Sequence, residues 1–505
     1  MIINNNIYSI TSPVFVNYGC YLKLTKGEAM RENLIPVESD VNQYLNSGCK
    51  IFDIGISDLF HRFKVFTLLT YCNINKRCGH CVDKIFYDLF LIPFLGISNI
   101  HLFLKAQFEK AESDKNRFYR FLENAKHNWQ LFLLHLSFRI NKEISSESTK
   151  PLFYVIDDSI CKLTGKLVEY ASYIYDHVSG KTVLGYQKLV LGIFNGSHFL
   201  PIRSSICMGK RKPNKKSKSS KYKKVPKSER ISVDSQGAKE RAEINESKLK
   251  KVLKMLKVVQ KKGFGANYVL FDSWFCFNSF IKQIVDLKLN VICQLKNFPK
   301  ANKYLYKGKL YSLKELFAYY GKSKMRMVKK YQYKRSIMTV TIPNSDIFMK
   351  IVFVHNEGKE KWHAFASTDE KLSAKIILEY YSQRWSIEVF FKNCKQYLNF
   401  GKEQMSNFDS RIACDALVYA RYIILTYLAF KDNSGFNSTF DKVLGKHREK
   451  TFGARLLLFF FDKLLYIYNE VRQLILEGAN RKAIELLDAF MEFSGNFCNV
   501  EPDLK

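Results

Sequence analysis

The strongest constraint on the fold is a pair of short apolar segments, well separated in the chain, that each contain a carboxylate after an apolar run. Residues 152–158 have the sequence LFYVIDD, and residues 267–275 have the sequence NYVLFDSWF. Short runs rich in Val, Ile, Tyr and Phe are typical of buried strands. Residues 249–259 between them carry apolar side chains at helical spacing. The pattern predicts a sheet in which Asp158 and Asp272 follow buried strands.

The size and charge of the chain limit both its architecture and its partners. At 505 residues it is too long for one compact core, and about 150 residues per domain predicts about three domains. With 47% hydrophobic and 15% aromatic residues, the chain has enough apolar surface to fold. Lys and Arg number 80 against 47 Asp and Glu, a formal net charge of +33. Such a charge attracts polyanions, so nucleic acid is the expected partner.

No segment predicts export or a membrane span. The N-terminal residues lack a basic region followed by an apolar run, as a secretory signal would have. The most apolar stretches, 90–104 and 454–468, contain polar or charged residues and fall short of about 18 uninterrupted apolar residues. They are expected to be buried helices. The twelve cysteines lack the spacing of a disulfide framework. We therefore expect a cytoplasmic protein without a membrane anchor.

Residues 209–230 form the most basic part of the chain. Eleven Lys and Arg occur there with a single acid, Glu229. Because no hydrophobic core can form from this composition, the segment is predicted to be a loop inserted into a domain. Phosphate binding is the favoured interpretation, and a loop that only increases solubility is the alternative.

Residues 380–395, YYSQRWSIEVFFKNCK, are predicted to form one helix with a polar stripe. On a helical wheel of about 100° per residue that starts at Tyr381, Arg384 lies near 300°, Glu388 near 340° and Lys395 near 320°. Apolar side chains occupy the neighbouring face and would anchor the helix. A surface helix with ion pairs worth only tenths of a kcal/mol explains the same pattern, so the stripe alone does not decide the function.

Three carboxylate positions follow or lie on buried elements: Asp157 or Asp158, Asp272 and Glu388. Carboxylates that converge repel one another unless cations neutralise them, and hard oxygen ligands select Mg²⁺ or Mn²⁺. Two such ions, about 3.5–4 Å apart, support the hydrolysis of phosphodiesters. Aspartates at strand ends also cap helices and turns, which is the structural alternative.

A motif match goes further than this spacing. Tyr381, Arg384, Glu388 and Lys395 reproduce the pattern Y-x2-R-x3-E-x6-K, so the chain resembles the group of bacterial insertion-sequence transposases of the DDE type with this YREK signature. The segments YVIDDS and VLFDSWF resemble the two aspartate motifs of that group. The resemblance extends from about residue 150 to 405.

The resemblance implies an α/β fold with an RNase H-like catalytic core, a β-rich insertion and flanking helical regions. The expected organisation is a helical DNA-binding region at 1–150, the first part of the core at 151–296, the insertion at 297–370, the second part of the core with the YREK helix at 371–408, and a helical region at 409–505.

The same resemblance implies that Asp158, Asp272 and Glu388 bind two Mg²⁺ ions, for which Mn²⁺ can substitute. Tyr381, Arg384 and Lys395 would then surround the scissile DNA end, where the two cations can hold phosphates. Asp157 and Asp158 point to opposite faces of a continuous strand. We favour Asp158, which precedes a small hydroxyl residue as in the family pattern, and expect Asp157 to bond the backbone or a basic neighbour.

The function implied by the resemblance is binding of inverted-repeat ends, followed by DNA cleavage and strand transfer by a homo-oligomer. Two alternatives stay open. A nuclease of the same fold would cut DNA without joining it. A DNA-binding protein with a decayed catalytic domain would do neither, although all the motif positions are present here.

Overall fold

The computed structural model describes residues 56–445 with short gaps, and a few positions between 470 and 485. The gaps are 77–78, 80, 107–110, 147–149, 166–167, 210–232, 301, 329–332, 357–360, 404. The chain divides into two compact units, one formed by Ile56–Asp441 and the other by Met1–Gly55 with Lys442–Lys505. The description below concerns the first unit. The predictions for the basic segment after Gly209 and for the apolar stretch 454–468 lie outside the described residues.

The first part of the unit is helical, as its periodicity predicts. Its helices are α1 (Ile56–Arg62), α2 (Val65–Tyr71), α3 (Val82–Leu91), α4 (Ile100–Ala106), α5 (Ala111–Leu122) and α6 (Trp129–Ser145). Asn128 begins α6 by accepting a hydrogen bond from the amide of Leu131. Trp129 and Phe86 are buried in an aromatic core that these helices share. The apolar stretch 90–104 contributes to this core through Phe94 and Phe103, which are buried.

The strands that follow belong to one twelve-stranded sheet. They are β1 (Phe153–Lys162), β2 (Ser172–Asp176), β3 (Lys181–Phe194), β4 (Phe199–Cys207), β5 (Tyr268–Phe271), β6 (Asn290–Leu295), β7 (Tyr304–Tyr306), β8 (Lys309–Tyr311), β9 (Arg326–Val328), β10 (Tyr333–Thr341), β11 (Phe348–Asn356) and β12 (Trp362–Ser367). Their order is β2-β3-β1-β5-β6-β12-β11-β10-β7-β8, with β4 beside β3 and β9 beside β10.

The register of β1 and β5 sets the position of the acidic residues. β1 is antiparallel to β3 and parallel to β5, with Val155 opposite Leu270. Continued by two residues, this register brings Asp272, just past the end of β5, to the level of Asp157. Residues opposite each other in parallel strands share a face of the sheet. The two predicted strands therefore deliver their aspartates to one region.

The predicted insertion, residues 297–370, extends the same sheet. β12 pairs antiparallel with β6, with Ala366 opposite Cys293, and β11, β10, β7 and β8 continue outward from it. The segment contains β7 to β12.

Further helices pack around the sheet. They are α7 (Gln236–Ala242), α8 (Lys248–Lys262), α9 (Asn278–Asp286), α10 (Leu313–Leu316), α11 (Ala374–Ser382), α12 (Trp385–Tyr397) and α13 (Phe408–Lys431), with a π-helix at Phe317–Gly321. By length and composition α13 could span a membrane, but 89% of its most apolar window is buried within the protein. Burial in the core accounts for its apolar character.

The prediction of one continuous helix over 380–395 is wrong, because two helices meet at Gln383 and Arg384. The amide of Arg384 donates to the carbonyl of Tyr381, and the amide of Ile387 donates to the carbonyl of Arg384. Bonds of this i to i+3 type tighten the backbone into a 3₁₀ turn and change the phase of the side chains. Tyr381 consequently lies on α11, whereas Glu388 lies on α12.

Candidate active site

Asp157 and Asp158 lie side by side within β1, near the centre of the sheet. No bulge interrupts this stretch, since Asp157 pairs with Val190 and Asp158 with Leu189. The Asp157 carboxylate accepts hydrogen bonds from the amide of Asp158 at 2.8 Å and from Nη1 of Arg384 at 3.2 Å. The expectation that Asp157 bonds the backbone or a basic neighbour is confirmed on both counts.

The Asp158 carboxylate is bonded to a cation of its own. Its Oδ1 accepts a hydrogen bond from Nζ of Lys248 at 2.8 Å. The two side chains are largely buried, with 15% of Asp158 and 11% of Lys248 exposed. The same ammonium lies 4.4 Å from the ring centroid of Trp274, a favourable cation–π distance.

Lys248 and Trp274 were not predicted as site residues. Lys248 is the first residue of α8, which begins with Ser247 as its N-cap. Trp274 follows Asp272 by two positions in the turn after β5, and its side chain is exposed. The sequence carried one signal, since Trp274 belongs to the VLFDSWF segment. Lys248 is one of 80 basic residues, and only the fold shows its contact with Asp158.

Arg384 joins the acids of β1 to α12. Its guanidinium donates one hydrogen bond from Nη1 to Asp157 and another from Nη2 to Glu388, four residues further along the chain. Its Nε is buried and has no hydrogen-bond partner among the described residues. A buried donor without a partner costs about 1–3 kcal/mol. Arg384 therefore acts on the two acids through Nη1 and Nη2, whereas its Nε lies inside the protein.

An open pocket of about 680 Å³ forms where β1 meets α12. It is lined by Asp157, Asp158, Ser159, Val178, Glu388, Phe391, Lys392, Lys395 and Gln396. Lys392 and Lys395 are exposed, so two ammonium groups stand beside three carboxylates. The ammonium groups can bind the phosphate of a phosphodiester, and the carboxylates can bind the divalent ions that accompany it.

Asp272 is not among the residues that line this pocket, but it lies within electrostatic reach of it. Its Oδ1 accepts a hydrogen bond from the amide of Trp274 at 3.0 Å, which orients the carboxylate. Burial raises the pKa of Asp272, and the negative charge of Asp158 raises it further, whereas the bond from Trp274 and the charge of Arg384 lower it. The pKa of Asp272 therefore depends on charges from both β1 and the start of α12.

The pKa of Asp157 reflects its burial and the acids around it. Burial raises the pKa of Asp157 to about 7, and the charges of Asp272 and Asp158 add to this effect. The amide of Asp158 and the Arg384 guanidinium oppose it. Asp157 is therefore partly protonated near neutral pH.

Tyr381 lies beside the site and is largely committed to protein contacts. Its hydroxyl donates to Oε1 of Gln294 at 3.2 Å, and its ring packs 4.8 Å from that of Phe365. Burial raises the pKa of Tyr381 to about 12. The Arg384 guanidinium carbon lies 5.8 Å from the centroid of its ring, so Tyr381 supports the arginine that bridges the acids.

Comparison with protein families covers the whole of this site. A model described as "Transposase DDE domain" matches residues 242–414, and one described as "DDE superfamily endonuclease" matches residues 97–300. These matches support a DDE-superfamily transposase. Asp272 lies in both matched ranges, Asp158 in the second and Glu388 in the first. No curated protein matches the chain.

DDE transposases generally use divalent metal ions, so the donor set can be compared with that need. All the acids here offer hard oxygen ligands. Among the described residues, however, no three acidic, His or Cys side chains are grouped closely enough to hold a metal ion. Lys248 is paired with Asp158, and Arg384 is paired with Glu388 as well as with Asp157. Asp158 and Glu388 offer the oxygen ligands that Mg²⁺ prefers. Lys248 and Arg384 would have to release these two carboxylates before an ion could bind.

Proposed function

We propose that the chain is a transposase of the YREK group that binds the inverted-repeat ends of an insertion sequence and there cuts and joins DNA. The observation that carries the proposal is the shared pocket, in which Asp157, Asp158 and Glu388 meet Lys392 and Lys395. Residues from a central strand and from a helix far along the chain converge there. The family matches support the same class of enzyme.

In this proposal Asp158, Asp272 and Glu388 hold two Mg²⁺ ions. Bound Mg²⁺ supplies Lewis acidity and charge neutralisation for an in-line displacement at phosphorus. Asp157 stays bonded to the amide of Asp158 and to Arg384, which keeps that arginine in place. The choice of Asp158 over Asp157 rests on the motif alone, since both side chains line the pocket and the register of β1 and β5 brings Asp157 to the level of Asp272.

The cations of α12 would bind the substrate phosphates. Lys395 and Lys392 are exposed at the pocket, where each can neutralise a phosphate oxygen as a point charge. Arg384 would add a third cation beside the scissile end, and its guanidinium is bonded to Asp157 and Glu388, which line the pocket. Tyr381 would position this arginine through the contact between its ring and the guanidinium.

The net charge of +33 favours a long DNA contact. The helical region within 1–150 and the basic segment 209–230 are the proposed end-binding elements. Assembly of several copies on two ends would bring the ends together for joining. The DNA that flanks the gene provides the first test of these proposals.

The DNA that flanks the gene is sequenced first, to identify short inverted repeats. A labelled duplex that carries one repeat is then incubated with the purified chain in Mg²⁺ or in EDTA. We expect cleavage at the repeat boundary in Mg²⁺ only. Glu388→Gln and Asp272→Asn should abolish cleavage and leave end binding largely intact. Glu379→Gln, the same chemical change at an exposed position of α11, is the matched control.

The outcomes separate the alternatives. Joining of a 3′ hydroxyl end to a target plasmid distinguishes a transposase from a nuclease of the same fold. End binding without any cleavage in Mg²⁺ would identify a DNA-binding protein with a decayed catalytic domain. Full cleavage by Glu388→Gln would defeat the assignment of the site.

A further inference from the structure

The far end of the sheet carries a second concentration of positive charge. Residues 302–328 span β7 to β9 and contain seven Lys or Arg and one Glu. Six side chains there form what we call the tyrosine–lysine surface: Tyr306, Lys307, Lys309, Tyr311, Tyr319 and Tyr320. None of these residues takes part in the active site described above.

A tight turn and a π-helix position the residues of this surface. β7 and β8 are joined by the two residues Lys307 and Gly308, with φ of 48° and 75°. Two consecutive positive φ values define a type I′ turn, whose twist matches that of the strands. The π-helix at Phe317–Gly321 then presents Tyr319 and Tyr320. Such helices are rare and are frequent at functional sites.

The tyrosine rings contact each other around the tip of the hairpin. The ring of Tyr320 lies 4.9 Å from that of Tyr306 and 5.6 Å from that of Tyr311. The hydroxyls of Tyr311 and Tyr320 are hydrogen-bonded at 3.0 Å. Nζ of Lys307 lies 5.8 Å from the centroids of both Tyr306 and Tyr320. The rings thus hold an ammonium group at a fixed place above them.

Packing within the chain accounts for the contacts among Tyr306, Tyr311 and Tyr320, but it leaves Tyr319 and the two lysines exposed. Tyr319 is 66% exposed and the neighbouring Leu310 is 58% exposed. By contrast Trp362, elsewhere in residues 297–370, stacks on Phe317 with a ring centroid distance of 4.3 Å. Exposed tyrosines beside lysines are suited to a DNA backbone, because hydroxyls donate to phosphate oxygens and ammonium groups neutralise them.

We infer that the tyrosine–lysine surface binds the backbone of duplex DNA, about 8–9 base pairs inside the element from the cut; this inference rests on the proposed function. β7 lies six strand positions from β1 in the sheet order. At about 4.8 Å per strand the separation is about 29 Å. Duplex DNA rises about 3.4 Å per base pair, so a duplex that runs across the sheet from the pocket would cover this distance in about 8–9 base pairs.

The test compares two charge-matched variants of the full chain. The first is Lys307→Asn with Lys309→Gln, in which Asn tolerates the positive φ at position 307. The control is Lys257→Gln with Lys261→Gln, which removes two exposed lysines from α8. Binding of fluorescein-labelled end duplexes is measured by anisotropy over a range of salt concentrations. One duplex extends 6 base pairs into the element from the cut and the other extends 20.

For the 20-base-pair duplex, the hairpin variant should bind about tenfold or more weakly, and the slope of log K against log salt should fall by about 2, near 0.9 for each lost phosphate contact. The 6-base-pair duplex should be bound as by wild type, and the control should bind both duplexes as wild type does. Cleavage of a pre-bound end at low salt should persist.

Several results would overturn the inference. Equal affinity and salt slope in the hairpin variant and the control would show that the surface does not touch this DNA. Unchanged DNA binding with a smaller oligomer in sedimentation would assign the surface to a second copy of the chain instead. An equal loss with both duplexes would place the contact at the cut. Wild-type chain that binds ends but does not cleave them fails the proposed function alone, whereas absence of end binding fails both.

Discussion

Replacing Asp157 by Asn should stabilise the fold at pH 8 but not at pH 5. Burial and the neighbouring acids raise the pKa of Asp157 to about 7, against an ordinary value near 3.9 in the unfolded chain. Between about pH 4 and pH 7 the folded chain therefore keeps a proton that the unfolded chain has lost. Raising the pH through this range lowers the free energy of unfolding, because the folded state must ionise a carboxyl that it disfavours.

The size of the effect follows from the shift and the lost bonds. About three pH units at about 1.36 kcal/mol each give about 4 kcal/mol, and the 19% exposure of the side chain reduces this to about 3 kcal/mol. Asn can keep only one of the two bonds, from the amide of Asp158 or from Arg384, which costs about 1 kcal/mol. At pH 5 the unfolded carboxyl is already ionised, so about 1 kcal/mol of this penalty is present and offsets the lost bond. The expected net change is therefore a gain of about 2 kcal/mol at pH 8 and a change close to zero at pH 5.

The assay is thermal unfolding of the full chain in EDTA at both pH values, compared with wild type. A gain of about 2 kcal/mol should raise the midpoint by roughly 2–4 °C at pH 8. Asp441→Asn, at an exposed position, is the control and should change neither midpoint. A midpoint of Asp157→Asn that lies equally far below wild type at pH 5 and pH 8 would refute the reasoning.

Two further predictions concern stability. Lys188 is buried between Glu403, at 2.8 Å, and Asp415. Lys188→Met should leave buried Asp415 without its cation and Glu403 with Arg411 alone, and should cost about 3–5 kcal/mol in urea unfolding. Gly192→Ala would place a Cβ atom 2.1 Å from the ring of Phe199; this overpacking should cost about 1–3 kcal/mol and lower the thermal midpoint.

Both predictions have controls that share the chemistry but not the surroundings. Lys257→Met removes an exposed ammonium, and Gly435→Ala adds a methyl group where no heavy atom lies within 4 Å. Each should leave the unfolding transition close to that of wild type. If Lys188→Met unfolded like Lys257→Met, the buried ion cluster would contribute nothing; if Gly192→Ala behaved like Gly435→Ala, the close approach to Phe199 would not exist.

The strands that carry the aspartates were predictable because their signal is local. The apolar runs before Asp158 and Asp272 are short and β-branched, and the structure has β1 and β5 there. The helical pattern between them likewise matches α8. A buried strand needs only a short run of apolar side chains, so a single sequence is enough to recognise it.

The break between α11 and α12 was not predictable from the same kind of pattern. Neither Gly nor Pro marks Gln383 or Arg384, and the periodicity of 380–395 is compatible with one helix. The turn brings Tyr381 to Gln294 on β6 while Arg384 reaches Asp157 on β1. These tertiary contacts override local propensity, and a wheel drawn on the sequence does not contain them.

Pairings between distant residues were also out of reach. Lys248 is 90 positions from Asp158, and nothing in its neighbourhood distinguishes it from other lysines of α8. Similarly, the strand content of 297–370 was evident, but its continuation of the core sheet through β12 and β6 depends on long-range register. Such register follows from packing of the whole sheet.

The central claim is that acids far apart in the sequence share one pair of divalent ions, and a Mn²⁺ titration of the full chain tests it most directly. Binding is followed by calorimetry for wild type, Asp272→Asn, Glu388→Gln and the control Glu379→Gln. We predict at least tenfold weaker binding for each of the first two variants and wild-type binding for the control. Wild-type affinity and stoichiometry in both Asp272→Asn and Glu388→Gln would contradict the claim.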